Sequence, residues 1–131
     1  MNDGAAPVRS EIPIACDWSA LTAEQQERQR SLYRRLRENV REVRELDDGY
    51  AFRHSPDGDV LLAIAEFVAN ERLCCPFFDF ALTVERGGGP VWLRMTGAGE
   101  AKRILEAEMG VDASRTQLSP RWGVIHHHHL S

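Results

Sequence analysis

Cys74 and Cys75 are adjacent, Glu71 precedes them by less than one helical turn, and Pro76 follows at once. Thiolates are the soft ligands that Hg(II), Cu(I), Cd(II) and Zn(II) favour, so a vicinal pair beside a carboxylate points first to capture of a thiophilic metal ion. On a helix successive side chains are about 100° apart, so the two thiols cannot share a face. Cys75 continues the apolar stripe of Leu61, Ile64, Ala65 and Val68, whereas Cys74 follows Phe67 and Glu71 along the margin between core and solvent. Glu71 lies three and four residues before the two cysteines and can reach either of them.

Protonation favours the same reading. Carbonyl dipoles at a helix C-terminus, together with Glu71, disfavour a bare thiolate, which argues against a nucleophilic or thioredoxin-like cysteine. A soft cation reverses the sign, because it displaces the thiol protons and is itself stabilised by negative surroundings. Were Cys75 instead the N-cap of a new turn opened by Pro76, the dipole would act the other way. Two thiols suffice for Cu(I) or Hg(II), while zinc needs two further ligands. Cys16, the third cysteine of the chain, is the natural addition, with His54 or Glu71 as weaker candidates for a fourth. The expected metal ligands are thus Cys74, Cys75 and Cys16, with no organic cofactor.

Two other readings use the same residues. The cysteines can be small apolar residues packing a helix-to-strand corner in a non-enzymatic interaction or dimerisation module. Alternatively, Cys74 acts in thiol redox chemistry. A disulfide between neighbours is disfavoured by its geometry, and an odd number of cysteines, two of them adjacent, argues against a secreted disulfide framework, so reduced thiols are expected.

The elements that position these residues can be read from pattern. Residues 1 to about 20 read as an extended lead-in, flexible over 1–11, that can dock through Ile12, Ile14 and Trp18, and Cys16 lies within it. Thr22 is an N-cap, and Leu32, Leu36, Val40 and Val43 predict one long amphipathic helix running to Asp47-Asp48-Gly49. Its narrow apolar stripe fits packing inside the monomer or a dimer seam equally well. Tyr50, Phe52 and His54 alternate as a short strand, and Asp59 caps a second helix that Pro76 ends. Residues 79–96 read as a hairpin turning at Gly87-Gly88-Gly89-Pro90, and a last helix from about Glu100 to Met109 closes on Gly110. The tail, 111–131, reads as irregular. The prediction is one α+β domain over 12–122, in the order α-β-α-β-β-α, with a three-stranded, mainly antiparallel sheet covered by helices on one face.

Composition narrows the partners. With 131 residues, 43% of them hydrophobic, the chain can enclose a core without a structural metal. The net charge of −4 and the interleaving of Arg34, Arg35, Arg37, Arg41 and Arg44 with Glu38, Glu42 and Glu45 exclude a basic patch for nucleic acid or an anionic membrane. No apolar run spans a bilayer and Met1-Asn2-Asp3-Gly4 lacks the features of a secretory signal, so a cytoplasmic protein is expected. The residues His126–His129 have the look of a tag remnant or native tail and are set aside. Thr96-Gly97-Ala98-Gly99 and Asp57-Gly58-Asp59 lack the rest of a phosphate loop and a calcium loop. Trp18, Trp92 and Trp122, without a basic groove, read as packing anchors rather than a base-stacking platform. His54 reads as a surface residue.

Glu71-Arg72-Leu73-Cys74-Cys75-Pro76-Phe77-Phe78, preceded by Tyr50-Ala51-Phe52-Arg53 and followed by Leu93-Arg94-Met95-Thr96-Gly97, resembles a family of small uncharacterised bacterial proteins. The resemblance extends from about Ile14 to Met109 and implies a small bacterial α+β protein rather than any reaction. The Cys-Cys pair is also similar to the vicinal thiols with which mercuric reductases and mercuric transport proteins pass Hg(II). That likeness covers two residues, and the transporters' membrane helices and the reductases' flavin fold have no counterpart in this sequence.

Overall fold

A computed structural model describes residues 14–119. Ile12, Trp122 and His126–His129, and the segments that contain them, lie outside the described residues. A short 3₁₀ turn at Trp18–Ala20 is fixed by Asp17, whose carboxylate accepts from the Ser19 N–H. Helix α1 (Ala23–Asn39) opens with a reciprocal capping box: Thr22 accepts from the Gln25 N–H and Gln25 accepts from the Thr22 N–H. Then follow β1 (Val40–Leu46), β2 (Gly49–His54), α2 (Gly58–Cys74), β3 (Asp79–Val84), β4 (Val91–Thr96) and α3 (Ala101–Met109). The predicted α+β class holds. The sheet is fully antiparallel in the order β1-β2-β4-β3.

The predicted three strands are four, because the long first helix stops at Asn39 and Val40–Leu46 runs back along β2. A register shift between Val40 and Glu42 explains why this strand looks helical in sequence. The bulge adds one residue, so Val40 and Val43 both pack against the core although three positions separate them. A spacing of three is a helix signal only when no bulge intervenes. The irregular tail likewise contains a small antiparallel pair, β5 (Val111–Asp112) with β6 (Gln117–Leu118). Arg37 ties this pair down by donating to the carbonyls of Met109, Gly110 and Ser119.

Tyr50 and Phe52 of β2 and Val91, Leu93 and Met95 of β4 face one side of the sheet, where residues of all three helices join them in a single core cluster. Helix α1 lies along α2, with Tyr33 meeting Phe67 edge-on and Arg28 gripping Glu66 through two hydrogen bonds. The α1 stripe is therefore spent inside the monomer rather than on a dimer seam. Gly49 must stay bare: a Cβ there would sit 2.0 Å from the Met95 carbonyl oxygen, in the strand pairing itself. Among the described residues no helix is long and apolar enough to cross a membrane.

Candidate thiol and carboxylate site

The site forms where α2 ends. Cys75 leaves the helix with φ −127° and ψ 73°, while its N–H still bonds the Glu71 carbonyl at 2.8 Å. Cys75 is thus the C-cap of α2 and not the N-cap of a new turn, so the carbonyl ends of the helix face the thiols. Pro76 breaks the ladder, and Phe77 and Phe78, in ring contact at 4.5 Å, cover the corner.

All three predicted ligands converge here, but not as three free thiols. Cys16 is joined to Cys75 by a disulfide across a sequence separation of 59, which corrects the expectation of reduced thiols throughout. An odd, partly vicinal set of cysteines does not betray this partnership, because it depends on the lead-in folding back. That return is held by backbone as well as by sulfur: the Asp17 N–H donates to the Cys74 carbonyl at 2.6 Å. Cys74 keeps its thiol and is 1% exposed, not marginal as its helical position predicts. Its Sγ lies 3.9 Å from Cys75 Sγ and 3.7 Å from Glu71 Oε1.

Glu71 is also misplaced by a reading of α2 alone. It is fully buried, because α1 covers the flank of α2 that a simple amphipathic pattern leaves to solvent. Gln29 Nε2 donates to Glu71 Oε1 at 3.0 Å and to the Phe67 carbonyl at 3.1 Å, and the Tyr33 hydroxyl bonds the other Glu71 oxygen. Tyr33 also lies 3.1 Å from Glu108 Oε2. A single hydroxyl proton cannot serve both carboxylates, so a proton on one of them completes the chain. Burial, opposed by the Tyr33 hydrogen bond and aided by Glu108, pushes Glu71 up to about 7, so this carboxyl is a ready place for that proton. Gln29 and Tyr33 were missed in sequence, although they fall on the same stripe as Leu32 and Leu36. A glutamine on a core stripe signals a buried polar partner.

His54 does not join the cluster. Among the described residues the only such group of potential ligands is Glu71, Cys74 and Cys75, whose ligand atoms lie within 4.8 Å of one another. Nor is His54 a surface residue: it is buried at the α1–β1 junction, its Nδ1 3.3 Å from Asn39 Oδ1. Comparison with known proteins returns no matching family model, curated protein or solved structure.

The burial of this cluster has two consequences for titration and reactivity. Burial first, and then Glu71 and Glu108, push the Cys74 thiol up to about 12. Native protein at neutral pH should therefore react with iodoacetamide at Cys74 only as fast as it unfolds, and rapid labelling in the absence of denaturant would contradict the burial. The second concerns acid. Between 4.5 and about 7 the folded state holds a proton at Glu71 that the unfolded chain has lost, so this group's contribution to stability falls as pH rises through that window. His54 works oppositely: burial, aided by Arg41, pushes it from 6.5 down to about 4, and its contribution is lost as pH falls through that range. Glu71→Gln removes the first slope and leaves the second. Urea midpoints of the variant should then climb with pH more steeply than those of wild type, and parallel profiles would mean that Glu71 is ionised throughout.

Proposed function

We propose that the reduced chain binds a thiophilic metal ion, with Cys74, Cys75 and Cys16 as ligands and Glu71 as the adjoining oxygen donor. The observation that carries this reading is the cluster of Cys74 and Cys75 with the buried Glu71 carboxylate, to which the disulfide brings Cys16 from far upstream as a neighbour of Cys75. Opening the disulfide supplies three soft donors and one hard one. That set suits the d¹⁰ ions Zn(II) and Cd(II) in four-coordination and Hg(II) through sulfur alone, whereas Cu(I) needs only the vicinal pair. The Asp17 to Cys74 hydrogen bond is a second tie between the Cys16 segment and the pair, one that does not run through sulfur. Capture or sensing of heavy metal in a reducing, cytoplasmic setting is the role that fits.

The test is native mass spectrometry of reduced protein titrated with Hg(II), Cd(II), Zn(II) and Cu(I), beside a Cys74→Ser/Cys75→Ser double variant. One ion retained by wild type against a competing thiol, and lost in the variant, is the expected result. Equal, weak uptake by both proteins would leave the cysteines as packing residues. Redox catalysis through Cys74 is disfavoured by the protonation and burial of that thiol. Self-association has its own support: β3 is an edge strand, and its Leu82 and Val84, 40% and 53% exposed, lie on the helix-bearing face. Antiparallel pairing with the same strand of a second copy would cover both. Sedimentation over a range of concentrations tests it, and a monomer at every concentration would end it.

A further inference from the structure

We infer that the Cys16–Cys75 disulfide is the closed state of a thiol-exchange gate that small disulfides and thiols enter only at Cys16, and that closing it expels the metal. The metal half of this statement rests on the function proposed above; the exchange route does not. The three sulfurs differ in access. Cys16 is exposed on the lead-in, whereas Cys74 and Cys75 are each 1% exposed beneath the corner at the end of α2. Of the three residues, Cys16 alone is open to a reagent of glutathione size.

The chemistry balances with a low-molecular-weight disulfide as oxidant. The Cys16 thiolate attacks one sulfur of RSSR, forming a mixed disulfide and releasing RS⁻, which takes up the proton that Cys16 gave. The Cys75 sulfur then attacks the Cys16 sulfur, forms the protein disulfide and expels a second thiolate, which takes up the proton of Cys75. Two protein thiols are oxidised and RSSR becomes two RSH; in the loaded protein the same two sulfurs are metal-bound thiolates, so Cd(II) leaves to solvent and the two RS⁻ take their protons from water. Reopening runs backwards, with RSH attacking the Cys16 sulfur and Cys75 leaving into the protein.

Geometry selects Cys75 as the resolving residue. The Cα atoms of Cys16 and Cys75 are 4.5 Å apart, and the Asp17 to Cys74 backbone bond holds the lead-in against that end of α2. Cys74 instead turns toward Glu71, its Sγ 3.6 Å from the carbonyl oxygen and 3.7 Å from the carboxylate. It remains a thiol in both states. Closure removes two of three sulfur ligands at once, so oxidation and release become one event.

The experiment loads the reduced protein with one equivalent of Cd(II), adds glutathione disulfide at neutral pH, and follows released metal with a chromophoric chelator while peptide mapping locates each linkage. Expected are metal release in step with formation of the Cys16–Cys75 linkage, a Cys75→Ser variant arrested with one glutathione on Cys16, and a Cys74→Ser variant that still closes. Acid quenching of wild type should trap the same Cys16 adduct, which covers the case of a variant that does not fold. Glutathione on Cys74 or Cys75, a Cys74–Cys75 linkage, or a closed disulfide with cadmium retained would overturn the gate. The two ideas fail separately: protein that retains no cadmium in the loading step yet still closes through Cys16 upholds the route and defeats only the metal reading.

Discussion

Reduction of the Cys16–Cys75 disulfide should raise the affinity for Cd(II) by more than about 100-fold, since losing groups that merely hydrogen-bond to ligands already costs about 10–100-fold and here two ligands change state. In the oxidised protein only the Cys74 sulfur and Glu71 stand free to bind, one soft donor and one hard. In the reduced protein Cys75 and Cys16 become thiols as well, and the Cys75 sulfur already lies in the cluster with Cys74 and Glu71. Cys16→Ser, which leaves the vicinal pair reduced and intact, should fall between the two. Competition titrations against a chelator of known affinity measure all three, and equal affinity in the two redox states would show that Cys74 and Glu71 alone account for any binding.

Replacing Phe67 by alanine should cost about 3–5 kcal/mol, the usual range for an aromatic ring removed from a core. Phe67 is 2% exposed, and its ring meets that of Tyr33 at 5.0 Å and 89°. The damage reaches beyond volume. Tyr33 is held between that ring and Glu71, and Gln29 bonds both the Phe67 carbonyl and the Glu71 carboxylate. With the ring gone the clamp on Glu71 loosens, so metal affinity should fall along with the urea midpoint. A variant destabilised to this extent but binding metal as wild type does would mean that the carboxylate is not positioned through α1.

Much of this organisation is legible in one dimension, and the parts that are not share a cause. The Thr22 cap of α1, the proline stop after Cys75, the glycine stop at Gly110 and the alternation over 79–96 are local signals that locate these elements, whereas Asp59 is not the cap of α2: the helix opens at Gly58 with Asp57 at the N-cap and no side-chain cap bond. The fate of Val40–Leu46 is not local: the bulge opposite β2 converts a helical spacing into a strand. Glu71 and Cys74 are misread for a related reason. Glu71 is buried by α1, whose contribution of Gln29 and Tyr33 becomes visible only when two helices lie side by side, and Cys74 is packed against Glu71, Cys75 and the returning Asp17 backbone. Finally, the partnership of Cys16 with Cys75 belongs to the return path of the lead-in, which leaves no periodic trace.

That partnership also changes what kind of object the chain is. In the oxidised state residues 16–75 form a closed covalent ring that includes α1, β1, β2 and α2, while β3, β4 and α3 hang from it as an open arm. A single protease cut inside the ring severs the backbone without separating any mass, and the nicked molecule travels as one species until a reductant divides it. The same cut in the arm releases a fragment at once under denaturing conditions. Electrophoresis of a partial digest, run with and without reductant, thus reads the redox state of the site from the connectedness of the chain, with no metal and no assay of activity.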